Sequence, residues 1–61
     1  MRIAAIRSLG ANGRDEAVPV LLNIAKTDSD TRARMAAVQA LGQIGTPKAK
    51  EALLQIIGKE E

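Results

Sequence analysis

The sequence predicts an all-α fold: four helices, paired as two antiparallel helical hairpins that stack into an α–α superhelix. Three observations carry this reading. The chain repeats itself without a gap at an offset of 32 residues, with Arg2/Arg34, Ala4/Ala36, Ala5/Ala37, Leu9/Leu41, Gly10/Gly42, Gly13/Gly45, Ala17/Ala49, Leu21/Leu53, Leu22/Leu54 and Ile24/Ile56 identical. Internal periods between about 20 and 50 residues mark solenoids, whose units bury little alone and share a core by stacking. Each copy also divides at a glycine, Gly13 or Gly45, into two stretches of helical spacing. Finally, the first stretch of each copy carries apolar residues on two flanks, where a lone hairpin in water needs one stripe.

The first helix opens at Met1 with no capping residue before it and runs to Gly13. Arg14 and Asp15 then stand where the second copy has Thr46 and Pro47. Pro19 falls one turn into the second helix, where a missing N–H is expected to remove one backbone bond and bend the helix slightly. Thr27 to Asp30 is a polar turn between the copies. Asp30 suits an N-cap, its carboxylate able to accept from an early free N–H. The third helix follows from Thr31 to about Gln43, with Gly45 placed where a left-handed residue ends helices. Thr46 caps the fourth helix, Pro47 takes its first position, and Gly58 stops it after about Ile57. So short a connection at Gly45 and Thr46 forces the last two helices to lie antiparallel.

At 100° per residue, Ala33, Ala37, Ala40, Leu41 and Ile44 share one arc of the third helix, expected to pack on the partner helix of the same repeat. Met35, Val38 and Gly42 form a second arc nearly opposite, with Arg32, Gln39 and Gln43 as a polar strip between. Ile3, Ile6 and Gly10 repeat the second arc in the first copy. Gly10 and Gly42 lie on this packing side, where a glycine lets helices approach closely at a cost of roughly 1 kcal/mol against alanine.

Composition limits what such a chain does alone. It has 61 residues, eleven alanines, no Phe, Tyr or Trp and no Cys. Domains this small bury only about 60% of their unfolded surface, and no disulfide or thiolate metal site is available as a staple. Stability is therefore expected to need further repeats or further copies, and the uncapped start reads as a fragment of a longer array. The net charge of +2, with signs interspersed, gives only a weak pull toward nucleic acid or membrane. No apolar run reaches the roughly 18 residues of a spanning helix, and Met1-Arg2-Ile3 opens no secretory signal, so the cytoplasm is the expected compartment.

The run Asp28-Ser29-Asp30-Thr31-Arg32-Ala33-Arg34, followed by Ala36-Ala37 and Ala40-Leu41-Gly42-Gln43-Ile44-Gly45, resembles the HEAT-like repeat found in bilin lyases and many bacterial scaffold proteins. Ala49, Leu53-Leu54 and Ile57 continue the pattern, and Ala4-Ala5, Leu9-Gly10, Gly13, Ala17-Val18-Pro19 and Leu21-Leu22 repeat it. The resemblance covers essentially the whole chain, as one domain of two repeats, 1–29 and 30–61. Ala33 stands where the family usually has valine, and Asn12 where it prefers an aliphatic residue. The resemblance implies a polar ladder between repeats built on Asp28 and Arg34, with Arg2 a ladder position lacking its own turn. It also implies that second helices line a concave binding face.

Little here points to an enzyme. His, Cys and Tyr are all absent, which removes the usual neutral-pH base and the best nucleophiles. Ser8 and Ser29 have no base near them in sequence, Asp28 and Asp30 are explained by turn and cap, and the glycines lack phosphate-loop spacing. No catalytic residue, cofactor or metal is expected. Protein binding is the leading reading, through a strip on the second helices: Lys48, Glu51, Gln55 and Lys59, with Glu16 and Asn23 in the first repeat. The alternative is self-assembly into a homo-oligomer through the exposed ends, with Met1, Ile3 and Ile6 at one and Leu54, Ile56 and Ile57 at the other. Basic residues scattered among acids, with no aromatic to stack a base, disfavour nucleic acid, and bilin-lyase chemistry has no site residue to carry over.

Overall fold

The computed structural model describes the backbone of residues 2–58 and the side chains of residues 3–58; Met1, Lys59 and the Arg2 side chain, named above, lie outside the described residues. Among the described residues four α-helices follow in order: α1 (Arg2–Asn12), α2 (Val18–Thr27), α3 (Thr31–Ile44) and α4 (Pro47–Ile57). A single 3₁₀ turn, Asp15–Ala17, leads into α2. The fold is all-α, and among the described residues there is no strand.

The local signals act where the sequence puts them. The Asp30 side chain accepts from the Arg32 N–H at 2.9 Å and starts α3. Gly45 closes that helix at φ 66°, its N–H bonded to the Leu41 carbonyl, and Gly13 ends the first repeat's turn at φ 67°. Both torsions lie in the left-handed region, where a side chain would add strain. Thr46 caps α4 by accepting from the Ala49 N–H at 3.2 Å, with Pro47 in its first turn.

Pro19 behaves differently from expectation. It sits in the first turn of α2, and the 3₁₀ turn before it takes up the missing bond. In a continuous α-helix the Asp15 carbonyl would accept from residue 19, which has no N–H. The Val18 N–H serves that carbonyl instead, and Ala17 likewise bonds back to Arg14. An i→i+3 turn is thus the way this segment satisfies its backbone around a proline, and the helix starts late instead of bending.

The core lies along α3. Ala33, Ala36, Ala37, Ala40, Leu41 and Ile44 are all buried, as are Ile6, Val18, Leu21, Ala49 and Ala52 from the other helices. The alanine arc was expected to serve the partner helix of the same repeat; in fact α3 packs more extensively on α1 and α2 than on α4. Side chains this small leave room for two helices of the neighbouring repeat to close on one side of α3. Gly10 marks the tightest approach: a Cβ placed there would stand 2.7 Å from the Ala40 Cβ and 2.8 Å from its Cα. Only glycine fits that position without a shift.

Candidate interaction faces

Polar side chains at the turns tie the two repeats together. In the Thr27–Asp30 turn the Asp28 carboxylate accepts from the Asp30 N–H at 2.8 Å. Arg34 reaches back from α3, donating from Nη1 to the Asp28 carbonyl at 2.7 Å and from Nη2 to the Thr31 hydroxyl at 3.0 Å. Asp28 and Arg34 are therefore brought together, with the guanidinium bonded to the turn's backbone. The Arg32 N–H that Asp30 accepts holds the Asp30 carboxyl below the ordinary aspartate range against an opposing desolvation, helped by smaller contributions from the Arg32 charge and the Ala33 N–H. The Arg32 guanidinium stands 3.7 Å away on an open surface, where such a pair contributes little.

A second link went unread in the sequence. The Thr46 hydroxyl, besides capping α4, donates to the Asp15 carboxylate at the entry to α2. These residues are 31 positions apart, one short of the repeat period, so stacking sets the turn of one repeat beside that of the other. The near-period spacing of Asp15 and Thr46 was the available signal.

The polar strip is present as exposed surface: Glu16, Asn23, Lys48, Glu51 and Gln55 are all exposed. It is mixed in sign and carries no aromatic anchor of the kind that dominates protein hot spots. Lys59 lies outside the described residues.

The end flanks depart from expectation. Ile6 is 1% exposed and belongs to the core, so it is not an end contact. Ile3 and Ile56 are likewise partly buried and packed against that core. The reason is that the second arc of α1 faces inward, onto α3. Leu54 and Ile57, by contrast, are 68% and 76% exposed.

Shifting by one repeat shows why. Ile3, Ile6, Gly10, Leu22 and Ala25 are buried or half-buried, whereas their counterparts Met35, Gly42, Leu54 and Ile57 are exposed and Val38 is half-buried. A Cβ on Gly42 would meet nothing within 4 Å. A shallow groove lined by Thr31, Arg34, Met35, Val38 and Gln39, all on α3, marks this open side. Met35 was read in the second arc but not as an end contact, though at 59% exposure it belongs with Leu54 and Ile57. On the opposite outer side, Ala4, Ala5 and Ser8 are exposed while their counterparts Ala36, Ala37 and Ala40 are buried.

Among the described residues no three His, Cys, Asp or Glu side chains cluster as metal ligands, and no helix is long and apolar enough to cross a membrane. The protein-family model described as HEAT repeats matches the chain over residues 1–61. No curated protein and no solved structure matches it significantly.

Proposed function

The chain belongs to the HEAT-repeat family, and from that premise we propose that it is a non-enzymatic protein-interaction scaffold module, one domain of two repeats spanning 1–29 and 30–61. HEAT repeats generally mediate protein–protein contacts. The observation that carries the reading is the open flank of α3 and α4, where Met35, Leu54 and Ile57 are the large apolar side chains left to solvent. Large apolar groups gathered on one flank, at positions whose counterparts in the first repeat are covered by the second, support a protein-docking surface. The strip of Glu16, Asn23, Lys48, Glu51, Gln55 and Lys59 is the polar surface that would tune partner choice. Asp28 and Arg34 serve as the ladder that holds the repeats in register. We also propose the cytoplasm as its compartment.

The test uses the immobilised chain to capture partners from an extract of its source cells, followed by affinity measurement with the purified partner. Met35→Asp with Leu54→Asp is expected to weaken binding more than tenfold while helicity by circular dichroism is kept. Unchanged affinity, or no captured partner at all, would overturn the reading. Loss confined to Lys48→Glu and Glu51→Lys would move the contact to the strip.

A further inference from the structure

Resting on the reading that the open flank docks protein, we propose that its occupant is a second copy of this chain. The open α3/α4 flank takes the outer, alanine-bearing flank of the next copy's α1 and α2, head to tail, in the same register that joins the two repeats within one copy.

The internal interface supplies the template. One side of it is bulky, with Ile6, Val18 and Leu21 buried and Ile3 and Leu22 packed against the core. The receiving side is small, formed by Ala33, Ala36, Ala37, Ala40, Ala49 and Ala52. The same division recurs at the two ends. Met35, Val38, Leu54 and Ile57 are the bulky set at one; at the other, Ala4, Ala5 and Ser8 on α1 are small and exposed, while on α2 an exposed Val20 stands in the place of Ala52. Head-to-tail addition sets these bulky side chains against the small residues of the next copy's α1, as within one copy. A symmetric contact between two α3/α4 flanks would set bulky groups against one another and leave the alanine flank uncovered.

The tightest internal contact fixes the register. Gly10 packs on Ala40 within a copy. One repeat further along, Gly42 takes the place of Gly10, and the residue equivalent to Ala40 is Ser8 of the second copy. The open space over Gly42 is thus the space a helix fills over Gly10. A serine adds one hydroxyl there, and a helical serine can bond the carbonyl four residues back, that of Ala4. Besides Ser8 for Ala40, two counterparts are more polar than the internal interface: Lys50 replaces Val18, and Asn12 replaces Ile44. Both are exposed in the single copy, and Lys50 can extend its amine past an apolar contact. The end-to-end contact is accordingly weaker than the internal one and reversible with concentration. A heterologous contact of this kind closes into a ring or runs on as a filament.

The experiment is light scattering and sedimentation of the 61-residue chain over a hundredfold concentration range, detected by refractive index. The wild type is expected to grow beyond a dimer as concentration rises. Gly42→Leu blocks one end at a site where the lone molecule has open space, and Ser8→Arg blocks the other. Each alone is expected to stay monomeric with helicity intact. Mixed in equal amounts, the two variants are expected to form a dimer, since each retains one open end. Association that survives Ser8→Arg unchanged would overturn the head-to-tail register. A wild type that stays monomeric throughout would overturn self-stacking, and the flank's affinity for a captured partner then decides whether the docking reading stands without it.

Discussion

Gly10 and Gly42 occupy the same place in two copies of one sequence pattern, on helices of the same kind. Gly10 is pressed on Ala40 so closely that a methyl group would collide with it, whereas Gly42 looks onto empty space. Both follow a leucine within a helix, and neither local sequence says which glycine will be covered. What differs is whether another repeat lies on top. The burial of a residue in this protein is therefore set by its repeat's neighbours as much as by its own helix.

Paired substitutions at equivalent positions measure that difference directly. The largest effect is expected for Ile6→Ala against Val38→Ala in chemical denaturation. Ile6 is fully enclosed, and its truncation should cost about 2–5 kcal/mol, the range for buried aliphatic residues. Val38 is half-buried and should lose far less; equal losses would mean that the α3 flank is covered too. Next comes Gly10→Ala, expected to destabilise by about 1–3 kcal/mol through overpacking against Ala40. Gly42→Ala, free of contact and inside a helix, should instead stabilise the monomer by up to about 1 kcal/mol. The opposite signs are the sharpest form of the comparison. Thr46→Ala removes the α4 cap and the link to Asp15 together, for about 1 kcal/mol. Thr46→Asn, keeping a cap but not the hydroxyl donor, should recover part of that loss.

The smallest effect is acid sensitivity at the start of α3. Asp30 has a lowered carboxyl pKa in the folded state, mainly because it accepts from the Arg32 N–H. Its contribution is thus complete above the unfolded-state pKa and is lost as pH falls through the depressed folded value. Asp30→Asn, which caps without titrating, should flatten that part of the acid limb of stability. An unchanged difference between the two proteins across the window would remove Asp30 from the account.

Features decided within a turn or two of chain were legible in the sequence. Asp30, Gly45, Thr46 and Pro47 do what their chemistry dictates, because capping and left-handed geometry need only local groups. Pro19 was legible as a lost bond but not as a 3₁₀ turn, since a bend and a late start both accommodate a missing N–H. Ile6 was misplaced because an apolar arc announces burial without saying which neighbour supplies it. The Thr46–Asp15 link joins turns that only stacking brings together. Of the interaction faces, Leu54 and Ile57 were readable as exposed, while Met35 joined them only once the orientation of α3 was known.

The alanine side of α3 has one more consequence, which concerns heat. Unfolding raises heat capacity in proportion to the apolar surface it exposes, and alanines expose little each. Temperature should therefore change this protein's stability gently, over a broad and shallow curve.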